Sequence, residues 1–201
     1  LGDLRWLHES GLAQAIGDLA AEGLPVVGLC GGFQMLGLEI TDEQGIESGL
    51  QKLPGLGLLP IRTHFEPQKT VTRSRARLQG GCGFWEELQG QAFEGYEIHM
   101  GASLAERPLF EITQREGAPC ATGDGACSPT GNVWGTYLHG ILDNDSLRRA
   151  WLKSLGVAPA SGSFTQRRLA AYDHLADTLE AALDIRLLDR IIAAGIECSP
   201  A

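Results

Sequence analysis

Cys30 stands in Gly28-Leu29-Cys30-Gly31-Gly32-Phe33-Gln34, directly after the apolar run Leu24-Pro25-Val26-Val27. The pattern predicts a thiol at a sharp turn between a buried strand and a following helix, the layout of a nucleophile elbow. The chemistry explains the glycines. The chain doubles back tightly there, and Cβ atoms on the flanking residues would clash. A helix starting after Cys30 would aim free N–H groups at the sulfur and favour the thiolate, which is the reactive form. Far along the chain, Gly135-Thr136-Tyr137-Leu138-His139-Gly140 offers a histidine at the end of another apolar strand. A cysteine and a distant histidine brought together by the fold suit covalent catalysis on a carbonyl. The competing reading of each is plain: a small buried hydrophobe, and a satisfied structural histidine.

Cys82, Cys120, Cys127 and Cys198 lack such a frame, and the chain has no C-x-x-C pair. A zinc site is therefore not expected, and no other metal site is assigned. Five free cysteines without a secretory segment suggest a reducing, cytoplasmic setting. The chain has 201 residues, 43% of them hydrophobic, enough for a sizeable core. A formal charge of −9 makes nucleic acid or an anionic membrane an unsuitable partner.

The elements that must carry the two residues follow from periodicity and punctuation. Residues 3–22 read as helix, breakable at Gly11 and stopped by Gly23. Residues 25–29 read as a buried strand and 31–38 as a short helix. Residues 56–63 look extended, with Pro60 at a strand end or edge. The alternation over 70–78 suits an exposed strand. Residues 93–100, 109–114 and 133–138 are further strands, and 115–131 reads as glycine-rich loop. Helices are expected over 145–155 and 164–194, with a break between Gly156 and Gly162. The sum is an α/β fold: an open, mostly parallel sheet flanked by helices, with a helical C-terminal extension. The expected division is 1–155, and 156–201 as a helical extension packed on the same domain.

The segment from Gly28 to Gly37 resembles the nucleophile segment, G-x-C-x-G-x-Q, of class I (triad-type) glutamine amidotransferases. Two further segments narrow the resemblance to the C-terminal glutaminase domain of the cobyric acid synthase family: Gly95-Tyr96-Glu97-Ile98-His99-Met100-Gly101 and Gly135 to Asp143. The tail is similar to that family too, in Tyr172-Asp173-His174-Leu175-Ala176-Asp177. The resemblance implies that Cys30 attacks the side-chain amide of L-glutamine and that His139 moves the proton. It implies that the released ammonia amidates peripheral carboxylates of a corrinoid, adenosylcobyrinic acid a,c-diamide. ATP and Mg2+ would act in an N-terminal domain, with no cofactor in this one. The chain has no G-x-x-x-x-G-K-[ST] loop and opens on Leu1. It thus reads as an N-terminally truncated fragment that lacks part of the oxyanion hole and could be inactive alone.

The backbone N–H of Gly31 is the candidate oxyanion donor, because it follows the nucleophile; the alternative is that Gly31 only relieves the turn. Gln34 matches the family glutamine and is a candidate for the substrate pocket, against a plain place on a helix surface. Glu97 and His99 alternate along an extended segment and should project to one side, toward substrate or as a cross-strand polar pair. Class I enzymes usually carry a glutamate two residues after the histidine. Ile141 stands there instead, as in the cobyric acid synthase branch, which leaves the group orienting His139 open between Asp143, Glu97, a carbonyl and water. Arg62, Arg73, Arg75 and Arg77 form a basic strip suited to corrin carboxylates or a partner domain, or simply a solvated strand face. Two other functions fit less of the pattern: the glutaminase subunit that amidates cell-wall lipid II, and a non-catalytic amidotransferase-like binding domain.

Overall fold

Gly11, at φ 79°, splits the first amphipathic stretch into α1 (Gly2–Glu9) and α2 (Leu12–Ala21), and Gly23 ends the second. The computed structural model describes residues 1–195, so Cys198 lies outside the described residues. After α2 the chain enters β1 (Val26–Leu29), turns at Cys30, and forms the short α3 (Gly31–Leu36). Two short strands follow, β2 (Glu39–Thr41) and β3 (Lys52–Pro54). Residues 56–60 are not strand, and β4 (Ile61–Leu78) begins only after Pro60 and runs without a break through the remainder of 56–63 and all of 70–78, both expected to be extended. A 3-10 helix over Gly83–Leu88 leads to β5 (Ala92–Ala105) and β6 (Phe110–Arg115).

The glycine-rich stretch after β6 is mostly strand, not loop: β7 (Ala118–Asp124) and β8 (Ala126–Cys127). Low strand propensity misled there, since β7 pairs only with β6 and is largely exposed, where propensity is overridden by one partner's ladder. Next come β9 (Val133–Thr136), β10 (Leu138–His139), a 3-10 turn over Ile141–Asp143, and α4 (Asp145–Ser154). Residues 164–194 form two helices, α5 (Phe164–Ala182) and α6 (Ile185–Ala194). The break is chemical: Leu183 is extended, and the Asp184 side chain accepts from the Leu187 N–H at 2.9 Å, starting a new helix.

The strands form two mixed sheets. The first has the order β1-β9-β8, with β1 and β9 parallel and β8 antiparallel to β9. The second has the order β10-β5-β4-β2-β3, with β6 added on β4 and β7 on β6. The α/β class and the helical C-terminal part hold, but parallel pairing is confined to β1–β9 and β2–β4. The strands β4, β5, β6 and β7 instead pair antiparallel, β5 and β6 with β4 and β7 with β6.

The chain divides into two compact units, Leu1–Pro159 and Ala160–Ala201, a boundary a few residues beyond the expected 155. Two of the buried clusters of the first unit sit on either side of the paired β1 and β9. One joins Trp85, Phe93, Phe110, Trp134, Leu138 and Leu147. Trp85 meets Trp134 edge to face, with ring centroids 5.1 Å apart. The other gathers Phe33, Leu36, Leu59, Ile61, Val133 and Tyr137 beneath the elbow. No described helix is long and apolar enough to cross a membrane.

Candidate active site

Cys30 adopts φ 53° and ψ −113°, a conformation that a non-glycine residue takes only when its surroundings force it. Three bonds do so. The Cys30 N–H donates to the Thr136 carbonyl at 3.0 Å, extending the β1–β9 ladder by one residue, and the Gln34 N–H donates to the Cys30 carbonyl at 3.1 Å. The thiol itself lies 3.4 Å from the carbonyl of Ile98, on β5. Gly28 is the glycine that the turn cannot replace. A Cβ there would come within 2.6 Å of Leu36 Cδ1 and 2.7 Å of the Gly32 carbonyl oxygen. At Gly31 and Gly32 a Cβ would meet nothing, so sterics do not dictate those two residues.

Burial pushes the Cys30 thiol above its ordinary value, and a bond from the Gly31 N–H opposes this without cancelling it. The expectation that a helix end makes a ready thiolate therefore does not hold. One short helix is outweighed by desolvation of the charge.

His139 follows β9 by three residues, on a two-residue strand that has crossed to the second sheet. The crossing is fixed by Asp124. Its carboxylate accepts from the Thr136 hydroxyl and from the Tyr137 N–H at 3.0 Å, and the Thr136 hydroxyl oxygen in turn accepts from the Leu138 N–H at 3.0 Å. Burial raises the Asp124 carboxyl, partly countered by those bonds. His139 and Cys30 thus do not end neighbouring parallel strands; they converge on β5 from two directions. The register sets His139 opposite Tyr96, two residues from the Ile98 carbonyl that touches the thiol. The imidazole stacks on the Tyr96 ring, with centroids 5.1 Å apart and planes at 12°. Its Nε2 is buried and has no hydrogen-bond partner among the described residues.

Glu97 and His99 do share a side of β5, but it is the buried side, opposite Tyr96 and Ile98. His99 Nε2 lies 3.5 Å from Glu97 Oε1, and His99 Nδ1 donates to the Gly101 carbonyl at 2.7 Å. Glu97 also accepts from the Ser74 hydroxyl at 2.5 Å and from Arg115 Nε and a terminal nitrogen, both at 2.9 Å. Burial alone would raise the Glu97 carboxyl. The bonds from His99, Arg115 and Ser74 outweigh it and hold the group at about 2. With its oxygens so committed, Glu97 does not orient His139.

Gln34 is buried rather than on a helix surface. Its Nε2 donates to the Tyr137 hydroxyl at 3.1 Å, which bonds Ser103 Oγ at 2.7 Å, which bonds Thr63 Oγ1 at 2.7 Å. His99 stacks on the Tyr137 ring with centroids 3.9 Å apart, joining this chain to the Glu97 cluster. Burial pushes the Tyr137 phenol up to about 12, keeping it a neutral donor. Gly101 is the close approach that admits Gln34, because a Cβ there would collide with its amide nitrogen.

Sequence reasoning did not single out Tyr96, Arg115, Ser74, Ser103, Tyr137 or Asp124. Tyr96 and Tyr137 lie inside the segments that carry the family resemblance, so that signal was present. Arg115, Ser74, Ser103 and Asp124 reach the site only through sheet pairing. Of the arginine strip, Arg62 pairs with Glu39 at 3.2 Å, while Arg73, Arg75 and Arg77 line the exposed face of β4. A groove of about 880 Å³ lined by Gln79, Cys82, Pro108, Glu111 and Cys127 includes none of the candidate residues. Among the described residues, no group of three or more His, Cys, Asp or Glu side chains is placed to hold a metal ion.

Cobyric acid synthase of Moorella thermoacetica is 43% identical over 205 residues, covering 98% of this chain and 39% of its own length. Cobyric acid synthase of Syntrophobacter fumaroxidans is 41% identical over 201 residues, covering 94% of this chain and 39% of its own length. This chain therefore spans 39% of the length of these curated relatives. A solved glutamine amidotransferase from Thermotoga maritima aligns over 76% of this chain and 55% of its own at 13% identity, with a TM-score of 0.44, too low to carry an argument. The model of the CobB/CobQ-like glutamine amidotransferase domain matches residues 1–147, which include Cys30, His139 and every side chain described around them, and the chain belongs to that family.

Proposed function

We propose that this chain is a glutaminase domain of a cobyric acid synthase. On this reading it hydrolyses L-glutamine with Cys30 and His139 and supplies ammonia for amidating peripheral carboxylates of adenosylcobyrinic acid a,c-diamide. The observation that carries the reading is the strained Cys30 turn, held against the strand that also carries the partner of His139. The names of the relatives support the corrinoid assignment.

The chemistry follows from the electrostatics. Burial keeps the thiol neutral, so it needs a base. The unpartnered imidazole nitrogen of His139 suits that role. His139 takes the S–H proton as sulfur attacks the amide carbon of glutamine, and the oxyanion forms beside the Gly31 N–H. The C–N bond then breaks. Nitrogen leaves as ammonia with the proton held by His139, and a thioester remains on Cys30. Water, giving its proton to His139, cleaves the thioester to glutamate and restores the thiol. ATP-dependent activation of the corrinoid carboxylates belongs, on this reading, to the remainder of the longer protein.

The test is Cys30→Ser in the full-length synthase. Glutamine-dependent amidation should fall at least ~1,000-fold, while amidation from high ammonia survives, because the thiol serves only ammonia release. Equal loss of both activities would overturn the division of labour.

A further inference from the structure

His139 carries an unsatisfied Nε2, so hydrogen bonding at that nitrogen does not set its ring orientation. Rotation about the ring bond of a histidine is soft and broad, so an imidazole that must receive a proton needs some other restraint. The structure offers one. We infer that Tyr96 is the positioning residue of the reaction: its ring holds the His139 imidazole by stacking and favours the imidazolium that forms when the thiol proton arrives. This rests on the glutaminase reading above.

Three observations carry it. The Tyr96 and His139 rings are nearly parallel, at 12°, and their Cα atoms are direct partners in the β5–β10 register. The backbone around the pair is built for close approach. A Cβ on Gly95 would lie 2.7 Å from the His139 carbonyl oxygen, and one on Gly140 would lie 3.5 Å from Tyr96 Cε1. Tyr96 also remains 44% exposed, so packing the core does not explain a large aromatic here. The same strand presents the Ile98 carbonyl to Cys30 Sγ at 3.4 Å, so one rigid element aligns both reacting groups. A tyrosine face within about 6 Å of a cation attracts it. The proton leaves Cys30 Sγ and binds an imidazole nitrogen, giving thiolate and imidazolium, and the positive charge then sits against that face. The charged groups nearby are Arg73, opposite Tyr96 on β4, and Asp143, beside Gly140; Glu97 lies on the other face of β5.

The experiment compares Tyr96→Leu and Tyr96→Phe in the 201-residue chain, with His139→Gln and Asp143→Asn as controls. Phenylalanine keeps the ring and leucine removes it. Iodoacetamide should alkylate Cys30 at pH 7 roughly fivefold to tenfold more slowly in Tyr96→Leu, with Tyr96→Phe recovering most of the rate, the size expected for one lost cation–π contact with its orientation. The His139 ring proton signals, assigned with His139→Gln, should lie upfield in the native chain and in Tyr96→Phe, and move back in Tyr96→Leu. Where L-glutamine is hydrolysed, kcat should fall by about the same factor with KM within about twofold, because orientation acts in the transition state. Native alkylation and ring shifts in Tyr96→Leu would overturn the inference, as would collapse in Asp143→Asn alone. So would an alkylation rate that His139→Gln leaves unchanged. Should Tyr96→Leu fail to fold, absence of the upfield shift in the native chain and Tyr96→Phe overturns it equally. A full-length synthase that shows the alkylation effect but hydrolyses no glutamine sinks the glutaminase reading and leaves Tyr96 in its place.

Discussion

At the scale of single residues, the ion pair of Arg115 and Glu97 gives the sharpest expectations. Glu97 is buried; Arg115 balances its charge, Ser74 donates a hydrogen bond to it, and His99 Nε2 lies 3.5 Å from it. Arg115→Met should lower stability by about 2–3 kcal/mol, below the ~3–5 kcal/mol for unpairing a fully buried charge, because Arg115 is 35% exposed. A urea titration reads it. Adding Glu97→Gln to Arg115→Met should restore part of the loss, since no bare charge is then left behind. The pH dependence follows in sign. The folded carboxyl is depressed from 4.5 to about 2, so its stabilising contribution is full above about 4.5 and is lost as pH falls toward 2. Glu97→Gln should therefore unfold with a flatter acid limb in that window, measured by circular dichroism. An unchanged limb would mean that Glu97 is not held by these bonds.

At the scale of elements, the elbow depends on how closely β1 approaches α3. Gly28→Ala would push a methyl carbon into Leu36 and the Gly32 carbonyl, and backbone cannot yield as a side-chain tip can. The expected loss is about 1–3 kcal/mol, as for overpacking a filled site, with slower alkylation of Cys30 as the turn relaxes. Gly32→Ala, where a Cβ meets nothing, should change stability by less than about 1 kcal/mol. Thermal melts of the two variants side by side decide it, and similar losses would refute the steric account. Residues 133–138 illustrate what periodicity misses. They read as one strand, yet the ladder breaks after Thr136, because Asp124 takes the Thr136 hydroxyl and the Tyr137 N–H and turns Leu138 toward β5. No local pattern in 133–138 announces a carboxylate brought in from the end of β7.

At the scale of the molecule, every buried apolar cluster draws its residues from the first 151 positions. The unit Leu1–Pro159 should therefore fold without the rest. Truncation after Pro159 is expected to leave a cooperative thermal transition and an iodoacetamide-reactive Cys30. A transition that broadens or disappears would show that residues 160–201 are needed for the fold.

The strand–turn–helix at Cys30 was legible from the sequence because an elbow is a local object: strand, glycine, cysteine and helix stand within ten residues, and sterics and backbone bonding fix their order. The strand expected over 25–29 and found at Val26–Leu29, and the helix break at Gly11, were legible for the same reason, each set by a φ restriction or a missing N–H at one position. Tertiary structure alone decided the surroundings. Glu97 and His99 have the alternation that puts them on one side, but only the pairing of β5 with β4 and β10 makes that side the buried one, where Arg115 and Tyr137 await. The thiol's local frame promised a ready thiolate, and burial from distant elements reversed the sign. Desolvation and sheet register are sums over contacts far apart in the chain, and no window of sequence contains them.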